Sequence, residues 1–226
     1  MSNAILVVAA HSDDEALGCG GTIAKHTKRG DDVTVVFMTN GVASRLNNLE
    51  CSTNAVNRKS AAQLALEALG ITNFHQFDFP DNKMDTVALL DVTQAVESVI
   101  SICKPDTIYT HFGHDLNIDH CVTNKAVLTA CRPQLWSSVR KILSFEVLSS
   151  TEWNSPSINA FRPNYIVDIS DFWDEKLAAL QCYQEEMRDF PHSRSYQCVE
   201  ALATLRGATH GFSKAEAFFV ERILDV

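Results

Sequence analysis

Ala4-Ile-Leu-Val-Val-Ala-Ala10 runs without a break into His11-Ser-Asp-Asp-Glu15. Seven apolar residues with no polar alternation describe a strand buried on both faces, as in the middle of a parallel sheet. Gly18-Cys-Gly-Gly21 comes next, then helical spacing over 20–29 that stops at Gly30, with Lys28 and Arg29 in the last turn. Asp32-Val-Thr-Val-Val-Phe-Met38 is a second apolar strand, broken by Thr39-Asn-Gly41. Strand, polar loop, helix and strand in that order predict a crossover between parallel neighbours.

Outward from this unit the alternation continues. Helical spacing from Asn57 to Leu69 ends at Gly70, and Asn73–Phe79 reads as a strand closed by Pro80-Asp-Asn82. A helix capped by Asp85 or Thr86 is expected to run through Ile102. Asp106–Thr110 is the next strand, with a second polar loop, His111 to His120, directly after it. A helix over Val122–Ala130, strands over 139–148 and 164–169, and a helix over Asp171–Met187 with Asp171 near its N-cap complete the reading. The tail from Val199 reads as a helix-like stretch and a polar turn at Arg206–Gly211. No linker and no repeat divides the chain, so one α/β domain over 1–226 is expected. In such sheets ligands sit outside the carboxyl ends of the strands. Both His- and Asp-rich segments are expected there.

Bulk composition narrows the function classes. The chain has 226 residues, 46% hydrophobic and 21% charged, with a net charge of −9. That size buries roughly 70% of the unfolded surface. The acidic balance and the lack of a dense Lys/Arg run argue against nucleic acid as a partner. Seven cysteines, none in a Cys-x-x-Cys pair, fit neither a disulfide framework nor a thiolate metal site. The longest apolar run near the N-terminus falls far short of the ~20 residues of a membrane span. No basic region precedes it, so the cytoplasm is the expected location. A homo-oligomer is left open by the sequence.

Three consecutive carboxylates after a buried strand are costly unless solvated, paired or bound to a cation. Histidine with carboxylate suits zinc, and catalytic zinc sites keep about three protein ligands and one position for water. Two ligands can come from 11–15, and His120 from the second loop is the natural third. Two adjacent aspartates rarely share one metal position. The one left over is then available as a general base towards water.

Ala10-His-Ser-Asp-Asp-Glu15 followed by Gly18-Cys-Gly-Gly21 resembles the N-terminal signature of the LmbE-like, or PIG-L, family of zinc-dependent N-deacetylases, Ala-His-Pro-Asp-Asp-Glu and a Gly-rich helix start. Asp115-Leu-Asn-Ile-Asp-His120 resembles the family's second signature, and Thr39-Asn-Gly41 and Arg58 stand where it tends to have similar residues. The resemblance implies a Rossmann-like, mostly parallel sheet with helices on both faces. It implies zinc, or another divalent metal, on His11, Asp14 and His120, with Asp13 as general base. It also implies an N-acetylated amino sugar or glycoconjugate as substrate.

Two departures stand out. Ser12 replaces the usual proline and removes no ligand. Asn117 stands where many members have a histidine; an amide can donate to an oxyanion but cannot deliver a proton. His111, His114 and His210 are the candidates for supplying it. Asn40, Arg58 and His210 are candidate substrate contacts, as is Arg45 in the loop after the second strand. Trp136, Trp153 and Trp173 carry no specific signal.

Four other readings compete with this one. A nucleotide-binding oxidoreductase needs a third fingerprint glycine, where this chain has Ile23, and the acidic loop would repel a pyrophosphate. A phosphoesterase would want ligands for two metals. A non-catalytic metal-binding module and a metal-dependent amidase on a non-sugar substrate complete the alternatives.

Overall fold

The structure, a computed structural model, describes residues 2–40, 51–155 and 157–225, with 51–58 as backbone only. Strand β1 (Ala4–Ala9) lies between β2 (Asp32–Thr39) and β4 (Thr107–His111), parallel to both. Adding β3 (Asn73–Phe79), β5 (Lys141–Phe145), β6 (Tyr165–Asp168) and β7 (Ala215–Ile223) gives a seven-stranded sheet ordered β3-β2-β1-β4-β5-β7-β6. The first five strands are parallel, and β7 runs antiparallel to both β5 and β6.

The apolar run that suggested burial on two faces is buried on two faces. Ile5, Val7 and Ala9 join one core with Val33, Val35 and Phe37, beneath α1 (Asp14–Lys28), α2 (Cys51–Ala68), α5 (Trp173–Cys182) and α6 (Tyr196–Ala208). Leu6 and Val8 join the other with Val36 and Met38, beneath α3 (Leu89–Cys103) and α4 (Ile118–Ala130). The expected fold class, a Rossmann-like and mostly parallel sheet with helices on both faces, is the one observed. No described helix is long and apolar enough to cross a membrane.

Several boundaries differ from the sequence reading. The first helix starts at Asp14 rather than residue 20, because its opening turn is polar and carries no apolar period. Cys19, with φ −147° and ψ 22°, kinks it, and the kink is held from outside. The Glu216 carboxylate accepts the freed N–H groups of Gly21 and Thr22 at 3.0 and 2.7 Å, and Lys176 Nζ donates to the Leu17 carbonyl at 2.8 Å. A Cβ at Gly21 would lie 2.8 Å from the side chain of Ile169, so the kinked helix packs closer to the segment just after β6 than a side chain allows. Asp85 and Thr86 belong to a 3₁₀ turn, and α3 begins only at Leu89, without a side-chain cap. The helix expected from Val122 starts at Ile118, capped by Asn117. Asp171 lies in a short 3₁₀ turn, and the following helix ends at Cys182 instead of reaching Met187. The strand Ala215–Ile223 was missed altogether: Glu216, Glu221 and Arg222 break its apolar run.

Candidate metal centre

Because β1 pairs with β4 in register (Val8 with Thr110), the segments that follow both strands emerge side by side at the carboxyl edge. His11 comes directly off β1 by way of Ala10, and His111 is the last residue of β4. Asp13, at the N-cap position of α1, has φ 122°, a left-sided backbone that non-glycine residues avoid at a cost on the order of 1–3 kcal/mol. That turn lets Asp14 open the helix while its carboxylate folds back to accept the His11 backbone N–H at 2.8 Å. On the other side, α4 carries Asp119 and His120 in its first turn.

Three ligand atoms converge. Asp14 Oδ2 lies 3.2 Å from His11 Nδ1 and 3.3 Å from His120 Nε2, and the three groups sit within 4.8 Å of one another. The remaining nitrogens are committed elsewhere. His120 Nδ1 faces Asp115 Oδ1 at 3.1 Å, and His120 Nε2 is a buried atom with no hydrogen-bond partner among the described residues. His11 Nε2 lies 3.1 Å from Asp119 Oδ2 and 3.2 Å from Asp81 Oδ1. Carboxylates behind metal-binding histidines fix the tautomer and aim the free lone pair. An orphaned imidazole nitrogen, a second imidazole nitrogen and a carboxylate oxygen make a donor set that fits zinc. His11, Asp81 and Asp119 are also close enough to form a cation-holding group. The Asp119 oxygens, however, already accept backbone N–H groups of Asn82 at 2.6 Å and Met84 at 3.0 Å, which suits a supporting role.

The supports are themselves braced. Asp115 accepts from the Asn117 N–H at 2.8 Å, the Thr151 hydroxyl at 2.5 Å and the Ser150 hydroxyl. Hydrogen bonds and the charge of His120 hold Asp115 below its usual carboxylate range despite burial. Burial opposes protonation of His11 and His120. Even so, the carboxylates around His11 raise it well above 6.5, and those around His120 raise it to about 9. Both shifts follow from carboxylates crowded around the two rings, negative charge that a divalent cation would offset.

Asp13 stands apart from this set. It is 5% exposed, and its Oδ2 accepts from Arg194 Nη1 at 2.9 Å. Burial pushes its carboxyl up to about 7, with Arg194 opposing and the neighbouring Asp14 adding to the rise. Glu15 fixes the same turn: one oxygen accepts the Asp13 N–H at 3.0 Å and the other the Tyr183 hydroxyl at 2.7 Å. Burial raises Glu15 to about 8.

The other candidates fall in different places. His111 lies in the cluster, stacked on His120 with centroids 3.8 Å apart. Its Nε2 accepts the Ala10 N–H at 2.8 Å, and burial lowers it to about 4, so at neutral pH it has no spare proton to give. Asn117 caps α4, its Oδ1 accepting the Asp119 N–H at 2.8 Å and its Nδ2 facing Asn82 Oδ1 at 3.4 Å. His114 pairs with Asn159 at 3.0 Å, and His210 bonds to the Arg206 carbonyl at 2.9 Å at the end of α6. Asn40 donates to Asp78 at 3.2 Å. The side chain of Arg58, and Arg45 entirely, lie outside the described residues. Trp136 and Trp153 are largely exposed, and Trp173 lies under Lys214.

Sequence reasoning missed Arg194, Asp81 and the bracing role of Asp115. Asp115 was visible inside the second motif. Asp81 looked like an ordinary turn residue after Pro80, and nothing local marks Arg194.

The profile of the PIG-L family, described as GlcNAc-PI de-N-acetylase, matches residues 6–131. The diacetylchitobiose deacetylase of Thermococcus kodakarensis is 26% identical over 94% of this chain and 80% of its own length. The 4-oxalmesaconate hydratase of Pseudomonas putida is 30% identical over 78% of this chain and 71% of its own. Among solved structures, N,N'-diacetylchitobiose deacetylase from Pyrococcus horikoshii superposes with a TM-score of 0.78 at 19% identity, covering 96% of this chain and 83% of that one.

Proposed function

This chain belongs to the GlcNAc-PI de-N-acetylase (PIG-L) family, and from that premise we propose that it is a zinc-dependent N-deacetylase acting on an N-acetylated amino sugar or its conjugate. The observation that carries the proposal is the convergence of His11 Nδ1, Asp14 Oδ2 and His120 Nε2 beside a separately held Asp13.

His11, Asp14 and His120 would hold the zinc, which would supply Lewis acidity towards water and a carbonyl oxygen. Asp13 is the base in this reading: its raised proton affinity helps its carboxylate take the proton of the attacking water, and the departing amine, the stronger base, then receives that proton. Arg194 keeps the Asp13 carboxylate aimed and partly ionised. Asp115 and Asp119 hold His120 and His11 in ligand tautomers. Asn117 spends its oxygen on the helix cap and turns its Nδ2 towards Asn82, so in this reading it positions the first turn of α4 instead of donating to the oxyanion. His111 lines the centre as a neutral ring. The carbonyl carbon gains the water oxygen, its bond to nitrogen breaks, and acetate and a free amine result.

The test is acetate release from N-acetylglucosamine and N,N'-diacetylchitobiose, with metal content measured on the same samples. Asp13→Asn is expected to keep the metal and lose 10²–10⁴-fold in kcat, the usual range for a general base. Full turnover by Asp13→Asn, or by a metal-free protein, overturns the mechanism.

A second reading is favoured by the hydratase relative and by the Arg194 guanidinium in the site. It is addition of water across a carbon–carbon double bond of an acidic substrate, with the same water and the same Asp13. No amine leaves in that reaction, which suits Asn117 in place of a histidine. Loss of ultraviolet absorbance from an unsaturated dicarboxylate, without acetate release from any amide, would favour it over deacetylation.

A further inference from the structure

A second cavity opens at the other end of the sheet. It is a cleft of about 650 Å³ at the amino ends of β4 and β5, where Thr107 and Lys141 begin those strands. His111 of the metal centre ends β4, so the two sites are about 13 Å apart along that strand alone. Tyr109, Tyr165 and Val167 form part of the wall, and four cations, Lys25, Arg29, Arg140 and Lys141, line it.

In a chain of net charge −9 that grouping is notable for what it lacks. Among the described residues none of the four cations is ion-paired with a carboxylate. Lys25 donates to the Asp168 carbonyl at 2.6 Å, and Lys141 sits over the Tyr165 ring at 5.2 Å. The cleft's own acids have other partners. Asp106 accepts the Ala4 N–H at 2.9 Å and the Thr107 hydroxyl at 2.7 Å, and Asp168 accepts the Ser170 N–H and hydroxyl at 2.9 and 2.6 Å. His26 joins the wall to the floor, with Nε2 3.0 Å from the Tyr109 hydroxyl and Nδ1 2.7 Å from Asp31.

We propose that this cleft binds a small phosphorylated ring compound, at a site separate from the metal centre. Guanidinium groups suit phosphate oxygens, two lysines add charge, and half-buried Tyr165 with Ile166 and Val167 offers an apolar wall for the ring. The proposal stands independently of the reaction at the metal centre.

The test is calorimetric titration of the metal-loaded protein with phenyl phosphate, and with benzoate as the carboxylate control. Wild type is expected to bind phenyl phosphate at one site per chain, at least tenfold tighter than benzoate and more weakly as salt rises. Arg29→Gln/Arg140→Gln, both changes on the cleft rim, should bind at least tenfold more weakly with unchanged Tm and amide turnover. Asp14→Asn should bind as wild type. Absent or non-saturable binding, equal affinity for benzoate, or unchanged affinity in the arginine variant overturns the proposal. So does loss of binding in Asp14→Asn, which would place the phosphate at the metal. A change of oligomeric state in the arginine variant by light scattering also overturns it, in favour of an interface between copies.

Discussion

Asp13 combines a left-sided backbone, near-complete burial and an ion pair to Arg194. Two effects compete at its carboxyl, and burial outweighs Arg194, so it holds its proton up to about pH 7. The base form therefore accumulates above that value. The expected consequence is a kcat/KM that rises with a midpoint near pH 7; a rate flat from pH 5.5 to 8 would remove Asp13 from the base role. Arg194 lowers the Asp13 pKa, so Arg194→Met should move the rising limb to higher pH while leaving metal content unchanged. A limb that stays in place, with only KM affected, would make Arg194 a substrate contact instead.

At the scale of elements, the first turns of α1 and α4 hold the site. Each begins directly after a polar stretch and offers ligands before its apolar face begins, which is why periodicity placed both helices too late. Asn117 serves the site through the turn that it caps. Asn117→Ala removes the acceptor for the Asp119 N–H and is expected to cost about 1 kcal/mol of stability, read by denaturant unfolding. Asn117→Asp keeps the acceptor and should retain that stability, with kcat falling less than tenfold. A loss of 10²-fold or more in this variant would instead assign the amide N–H to the oxyanion.

Across the whole molecule, the carboxyl edge of the sheet gathers Asp13, Asp14, Glu15, Asp81, Asp115 and Asp119 around His11 and His120. Buried carboxylates at that density repel one another, and a divalent cation that binds only the folded chain stabilises it by mass action. Chelation should therefore lower Tm by several degrees and abolish turnover, with both restored by added zinc. Equal Tm with and without metal, measured by calorimetry, would argue that the histidine–carboxylate bonds alone hold the centre together.

Residues 4–38 determined the parallel α/β core by themselves, since an unalternated apolar strand, a glycine-ended helix and a second such strand permit little else. The two motifs likewise singled out His11, Asp13, Asp14 and His120 as candidates, because ligand chemistry depends on residue type and those residues lie in compact local patterns. Only the tertiary structure decided which groups stand behind them. Arg194 reaches Asp13 from 181 residues away, and Asp81 reaches His11 from the far end of β3. Neither has a local period or spacing to mark it. The closing strand Ala215–Ile223 depended on context too, since its charged residues are accommodated by partners such as Lys176, Ser144 and the Cys131 carbonyl, which the fold supplies. Local pattern reports which face a segment must bury; the identity of a long-range polar partner is settled only when the sheet order brings the two ends together.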